Sequence, residues 1–559
     1  MSDRGRLQTI TDGIVQLGLL VLVVASPLMF GSVYPWAYSI VEWVIAVIAG
    51  AWLLKVFFIE EGSLRRAATA RLFLPAFLFI LLLFLQLLPL PPTLLRAVSP
   101  RTAEIYSLCL SDIRARDNPG PTEPSGTPGS LDQGERAPSP TDGSLSLYRF
   151  RTRTEILKWL SYLVLLSLIM NYRPEGSTTA FVRRIVIAVC ASGALVALIG
   201  LGQKVLGARA IYGFWKPLSK SDTSFMGPFV NANHFAGYIE LTLPTILAVY
   251  TGWLGVRLGR RHTSAVVRGL LGKLQDPLYN KAALALVGLL LVTASLFLSF
   301  SRAGVVSFLV SSAVTTAVWA AMERRLGSER WVRIRPAFLM GAALVFLLFA
   351  GAALFVVLAK TGEVTAGGRL SRLPLWFDTL RMYRDFPLFG VGLGTFSYVY
   401  PLYKTHGGSL AFTHAENDYL QLLVETGAVG FVLVVWFFAG LGREILTSFR
   451  ARLRLYRQAQ AGSDPAPKAT RRLVRYRSSA DRAQDASTLR PYPLPRVNYF
   501  LLLGCLWSLT AIALHSLADF NMHIPANALT VFVLLGLACR LPRLNKPLFS
   551  FSKRDVLFQ

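Results

Sequence analysis

His414 opens the stretch HAENDYLQLLVETGAVG, which ends at Gly430, where a polar loop meets a long apolar run. His414, Asp418, Gln421 and Glu425 fall at i, i+4, i+7 and i+11, with Asn417 beside them. On a helix that spacing predicts one polar face. The face is roughly 16 Å long at about 1.5 Å per residue. A polar stripe entering a membrane is costly unless it lines a cavity or finds partners. Gln421 and Glu425 therefore read in two ways, as ties between helices or as part of a site. His414, Asn417 and Asp418, at the water edge, point to chemistry. An imidazole titrates near neutrality and suits proton transfer.

Arginine supplies the complementary chemistry. Arg302 stands in SFSRAG between two apolar runs with almost no loop to carry it into water. A buried guanidinium there needs an anionic partner, and its fork suits phosphate or carboxylate. The partner is a ligand, or a carboxylate of the chain such as Glu240 or Glu425; snorkelling to the interface is a third outcome. Arg369 and Arg372, in GGRLSRLPLW, make a second cationic set, followed by Arg381 and Arg384.

Other polar residues recur between apolar runs. GPFVNANHFAGYIELTLP carries Asn231, Asn233, His234 and Glu240. The asparagines either cap the helix that follows or hydrogen-bond a glycan or Arg302. HSLADFNMHIPAN carries His515, Asp519, Asn521 and His523; its histidines read as supporting groups or as interfacial residues. Gly390, Gly392 and Gly394 in DFPLFGVGLGTF mimic a dinucleotide fingerprint, but no strand or βαβ unit precedes them. Tight turns or close backbone packing is the better reading. No close cluster completes a metal-ligand set, although His515 and Asp519 share helical spacing. No nucleophile elbow or cysteine nucleophile signature is present. The expected site uses neither metal nor cofactor. It is an outward-facing pocket able to hold a diphosphate at the bilayer edge and to transfer what the diphosphate carries.

The elements that must position these groups are membrane helices. Of 559 residues, 53% are hydrophobic and 16% charged. Apolar runs long enough to cross a bilayer predict an all-α polytopic membrane protein with about twelve spans. The first span reads as a retained helix and not a signal peptide. Basic residues crowd the even-numbered connections, which places those connections and both termini in the cytoplasm. The net charge of +27 follows from that bias, so nucleic acid is not an expected partner. Cys109, Cys190, Cys505 and Cys539 are scattered without metal or redox spacing.

The expected organisation is N-terminal spans at 1–91, a partly disordered outer insertion at 92–154 and further spans at 155–359. A loop over the site at 360–416 precedes the polar-striped span at 417–441. A basic linker at 442–497 and C-terminal spans at 498–554 complete it, and 555–559 (DVLFQ) reads as a tag remnant.

Taken together, GPFVNANHFAGYIELTLP, SFSRAG, GRLSRLPLW with DFPLFGVGLGTF, and HAENDYLQLLVETGAVG resemble the O-antigen ligase and polymerase superfamily of bacterial membrane glycosyltransferases. The pieces cover roughly residues 225–440, and HSLADFNMHIPANA looks like the longer members found with exopolysaccharide assembly. The resemblance implies a GT-C-like helical fold with a large periplasmic loop, in the bacterial inner membrane. It implies a glycan donor on undecaprenyl diphosphate, a glycan or lipid acceptor, and inverting, metal-independent transfer at the periplasmic face. Carried onto this chain, Arg302 and Arg369 bind the diphosphate with Arg372 in support. His414 acts as general base or as donor to the leaving diphosphate. Asn417, Asp418 and Glu425 orient it. Asn231, Asn233 and Asp519, from the polar segments above, are further candidates for substrate binding. Chain length and the HSLADF segment favour a polysaccharide polymerase. Ligation to lipid A core and protein O-glycosylation are alternatives. A transporter of a lipid-linked or anionic solute is the competing class, although no internal repeat supports it.

Overall fold

Pro525–Arg540 is buried along its whole length, and other long helices pack around it. The structure, a computed structural model, describes residues 3–59, 67–117, 143–216, 225–258, 277–325, 372–406, 408, 411–461 and 495–549. The chain is a multi-pass helical membrane protein. Among the described residues every regular element is a helix, and eight helices are long and apolar enough to cross a bilayer. Two shorter apolar helices lie at Arg71–Leu87 and Leu284–Leu298. The last part of the spans expected at 155–359, from residue 326 on, lies outside the described residues, as do Arg369, residues 118–142 of the insertion, and 555–559.

In chain order, α1 is Asp3–Leu28, α2 Pro35–Phe58 and α3 Ala67–Leu87. Then come α4 at Pro92–Val98, α5 at Pro100–Asp117, α6 at Arg149–Asn171, α7 at Thr178–Val205 and α8 at Ala232–Leu258. They are followed by α9 at Pro277–Leu298, α10 at Arg302–Arg325, α11 at Arg372–Asp385 and α12 at Phe396–Val399. The last three are α13 at Asp418–Ala461, α14 at Arg496–His515 and α15 at Pro525–Arg540.

Small residues let the central helices approach, which is how membrane helices gain contact without a hydrophobic drive between them. A methyl group on Gly504 of α14 would lie 2.8 Å from the Pro244 carbonyl oxygen of α8. Among the described residues the α8–α14 pair is accordingly the most extensive contact between helices. At the end away from the polar motifs, Asp12 of α1 accepts hydrogen bonds from Lys55, Tyr172 and the Glu175 N–H, so this buried carboxylate is fully partnered.

The basic stretch after residue 442 is not a linker from its start. Helix α13 continues through it to Ala461, because LTSFRARLRLYRQAQA is rich in helix formers. At roughly 66 Å, α13 far exceeds the bilayer core of about 30 Å. The insertion also begins with structure, since α4 and α5 occupy its first part. Its far end is tied back where the Leu90 N–H donates to the Gly143 carbonyl at 2.7 Å.

A second, smaller core positions the site. Leu375 and Met382 of α11, Val391 of the loop that follows, Phe396 of α12, Tyr400 just beyond it, and Ala415 pack against Val424 of α13.

Candidate functional site

Helix α13 begins at Asp418, not at His414. The expected helical stripe is corrected here, because Asn417 is the cap. Its Oδ1 accepts the N–H groups of Tyr419 at 3.0 Å and Leu420 at 3.1 Å, and its Nδ2 donates to the Leu517 carbonyl. Glu416 adopts φ 52°, which turns the chain back on itself. The turn carries His414 over the first turn of the helix, where Nδ1 lies 3.3 Å from Gln421 Oε1.

That contact fixes the tautomer. Gln421 Oε1 also accepts the Ala415 N–H at 3.1 Å, and Gln421 Nε2 donates to Glu425 Oε1 at 3.1 Å. A flipped amide would lose both bonds. Oε1 is therefore the acceptor, Nδ1 of His414 carries the proton, and Nε2 keeps its lone pair. Burial, then the charge of the neighbouring His523, pushes the His414 imidazole well below its ordinary pKa against the Gln421 hydrogen bond.

Glu425 reaches His414 only through Gln421. Its own oxygens accept the N–H groups of Gly394 at 2.9 Å and Phe396 at 3.2 Å, at the start of α12. The glycine loop ahead of α12 is threaded into a break in α13 at Gly427. There the Val391 and Gly392 N–H groups donate to the carbonyls of Val424 and Glu425, and the Ala428 and Val429 N–H groups donate to those of Pro387 and Leu388. The loop thus supplies the backbone partners that a continuous helix would have supplied itself. Asp418 does not touch His414. It holds His523, with Oδ1 2.8 Å from Nδ1, and its Oδ2 accepts the Met522 N–H.

The turn between α14 and α15 completes the cluster. Phe520 lies between two histidines: His414 stacks on it at 4.1 Å, and His234 meets it edge-on at 4.6 Å. Asp519 is fully buried, with His234 Nε2 at 3.4 Å, His515 Nε2 at 3.8 Å and Arg372 Nη2 at 4.0 Å. Burial raises its pKa, but these three basic groups, led by the His234 hydrogen bond, hold it well below the usual carboxylate range. Arg372 also donates to Glu416 Oε2 at 2.9 Å and to the Ala518 carbonyl. Arg372 therefore joins the 414–417 turn to the α14–α15 turn, a role that its sequence context did not signal. Burial, then Asp519, raises the Glu416 pKa against the pull of Arg372.

Arg302 differs from expectation. It is exposed and has no partner among the described residues. Phe300 at φ 54° makes the tight turn, and Ser301 caps α10 by accepting the Gly304 N–H, so Arg302 is the first helical residue and swings outward. The carboxylates considered for it are engaged elsewhere. Glu240 accepts from Ser307 Oγ at 2.8 Å and meets His515 Nδ1 at 3.1 Å. This contact series, from Ser307 of α10 through Glu240, His515 and Asp519 to the Phe520–His414 stack, places the start of α10 at the same end of the bundle as His414. Asn231 is the helix cap of α8, its Oδ1 accepting the Asn233 N–H at 2.8 Å.

Beside the cluster lies a cavity of about 480 Å³ between α6, α13, α14 and α15. Its walls are apolar, with Trp159, Tyr162, Phe438 and Phe532 among them, and its acidic and basic lining residues are Glu155, Lys158, Asp418, Glu425 and His523. Neither His414 nor Arg302 lines it. Among the described residues no group of three or more His, Cys, Asp or Glu is placed to hold a metal ion.

The sequence singled out His234 without giving it a role, offered no sign of Glu416 or Phe520, and left His523 undecided. Phe520 carries no signal of its own. Its neighbours Asp519 and His523 were the available pointer, since ionisable residues in a membrane protein tend to gather at sites.

Residues 287–435 match the family model described as O-antigen ligase. The match supports the O-antigen ligase superfamily and a ligase- or polymerase-like function in surface polysaccharide biosynthesis. It includes Arg302, Arg372, His414 and Glu425, is narrower than the 225–440 covered by the motifs, and excludes Asp519 and His523. No curated protein matches the chain.

Proposed function

We propose, from the O-antigen ligase domain at residues 287–435, that this membrane protein is a glycosyltransferase. It moves a glycan from undecaprenyl diphosphate to a hydroxyl acceptor, polymerising repeat units of a surface polysaccharide or exopolysaccharide. The site faces the periplasm from the inner membrane. The observation that carries the reading is the Gln421 lock on His414, which leaves an Nε2 lone pair at the same bundle end as Arg302, a guanidinium without a partner among the described residues.

Arg302 suits the diphosphate. A cation at a helix N-terminus is unfavourable by about 0.3–1 kcal/mol, so a dianion there satisfies both the side chain and the helix end. Guanidinium groups, Arg302 and in this reading Arg369, stabilise charge building on the leaving diphosphate. His414 Nε2 takes the proton of the acceptor hydroxyl as that oxygen attacks the anomeric carbon. Attack opposite the departing diphosphate inverts the carbon. Arg372, Glu416 and Asp519 hold the turn that carries His414, and Asn231 and Asn233 open α8 beside it.

The test uses the full chain in lipid nanodiscs with a synthetic polyprenyl-diphosphate oligosaccharide, and product is read by mass spectrometry. Arg302→Ala and His414→Ala should each lose about 100-fold or more in transfer while eluting as the wild type does. Wild-type transfer by both variants would refute the residue roles. Movement of the donor across a vesicle membrane without covalent product would replace the enzyme by a transporter.

A further inference from the structure

His414 is not alone at the reacting end. The His523 ring lies 5.0 Å from it, centroid to centroid. The two imidazoles are held by opposite kinds of partner. Gln421 Oε1 faces His414 Nδ1, whereas the Asp418 carboxylate faces His523 Nδ1 at 2.8 Å. Asp418 is itself fixed, since its Oδ2 accepts the Met522 N–H and its own N–H donates to the Ser516 and Asp519 carbonyls. His523 Nε2 has no hydrogen-bond partner among the described residues, and the ring lines the 480 Å³ cavity. An amide leaves an imidazole neutral; a carboxylate favours its cation.

We propose that His523, held by Asp418, is the catalytic acid opposite His414 and donates its Nε2 proton to the diphosphate oxygen that leaves the anomeric carbon. The inference rests on the transferase reading above. The step balances. The acceptor O–H bond breaks and its proton goes to His414 Nε2. The acceptor oxygen bonds to the anomeric carbon, and the carbon–oxygen bond to the diphosphate breaks with its electron pair on that oxygen. That oxygen takes the proton from His523. His414 then carries one proton more and His523 one fewer, and return of that proton from His414 to His523 restores the starting state.

The electrostatics agree with the geometry. Burial lowers the pKa of both rings. At His523 the hydrogen bond and charge of Asp418, with Glu425 from α13 and Glu155 from α6, outweigh burial and raise it above the ordinary imidazole value. At His414, His523, His234 and Lys158 of α6 add to burial. Two titratable groups whose surroundings push them apart are the pattern of an acid–base pair.

The experiment follows kcat against pH for the full chain in nanodiscs with the polyprenyl-diphosphate donor. In the wild type, transfer falls on the alkaline side as His523 loses its proton. His523→Gln should lower kcat about 100-fold with little change in KM for the donor, and should lose that alkaline limb. Asp418→Asn touches no substrate, yet it removes the charge that holds the proton, so its alkaline limb should move to lower pH. If His523→Gln does not elute as the wild type, the Asp418→Asn profile decides. A wild-type kcat and limb in His523→Gln, or an unmoved limb in Asp418→Asn, overturns the assignment. Failure of the transferase reading shows separately, as absence of covalent product from the wild type itself.

Discussion

The imidazole of His414 lies flat on the Phe520 ring, with centroids 4.1 Å apart and planes within 16°. The stack joins the turn before α13 to the turn after α14, two segments about a hundred residues apart. Stacking of this kind contributes about 0.5–1.5 kcal/mol beyond buried area. Its work here is orientation, because Gln421 holds only one edge of the His414 ring. Phe520→Leu should therefore lower kcat about tenfold, the rate equivalent of about 1.4 kcal/mol, while KM for the donor and the melting temperature move little. Phe520→Tyr should retain wild-type kcat. An unchanged kcat in Phe520→Leu would remove the ring from the orienting set.

The pH dependence of His414 has a definite sign. A general base works when neutral, and burial keeps this imidazole neutral to below its ordinary value of 6.5. The acid limb of kcat should therefore lie below pH 6.5. Gln421 raises the His414 pKa by accepting the Nδ1 proton. Gln421→Leu should move the limb to still lower pH and reduce the plateau rate about tenfold, since the Nδ1–H tautomer is no longer enforced. A limb that moves upward would show that Gln421 is not the acceptor.

The polar face formed by Asp418, Gln421 and Glu425 was legible because helical spacing decides it, and Gln421 and Glu425 do meet at i, i+4. The same spacing wrongly carried His414 onto the helix. Periodicity has no term for a cap, and Asn417 ends the helix one residue before Asp418 by satisfying its free N–H groups. Arg302 misled in a similar way. Its flanking apolar runs suggested burial, but the turn at Phe300 exposes it. The Asp519 cluster joins α8, α11 and α14, and contacts among three distant segments leave no local trace in a single sequence.

Asp519 should be a stabilising charge with a calculable pH window. Its folded pKa lies well below the unfolded value, so its contribution is fully present above about pH 5 and is lost as pH falls through the depressed value. Asp519→Asn leaves His234, His515 and Arg372 without their common anion. Breaking a buried ion cluster by removing one partner costs about 3–5 kcal/mol. The variant should melt well below the wild type at pH 7, and the difference should shrink in acid. Equal melting temperatures at pH 7 would mean that the cluster carries no net stabilisation.

Gly427 and Gly390 hold the site from beneath. Gly427 has φ 66° and ψ −175°, a region open essentially to glycine alone. A methyl group there would lie 2.2 Å from the Leu388 carbonyl carbon and oxygen. Gly390, at φ 69°, would place its methyl 2.3 Å from the Glu425 carbonyl carbon. Both obstacles are backbone, which cannot swing aside as a flexible side chain does. The conformational strain alone is about 1–3 kcal/mol, and displacement of the loop would add the loss of its hydrogen bonds to α13. Because Glu425 caps α12 and also holds Gln421, the disturbance should reach His414. Gly427→Ala and Gly390→Ala should each lower both melting temperature and transfer rate. Gly288→Ala is the control: it lies in the middle of α9, where an added methyl meets nothing within 4 Å. That variant should hold its rate and gain up to about 1 kcal/mol from helix propensity. A Gly427→Ala protein that melts and transfers as the wild type does would show that the loop is not locked to the helix break.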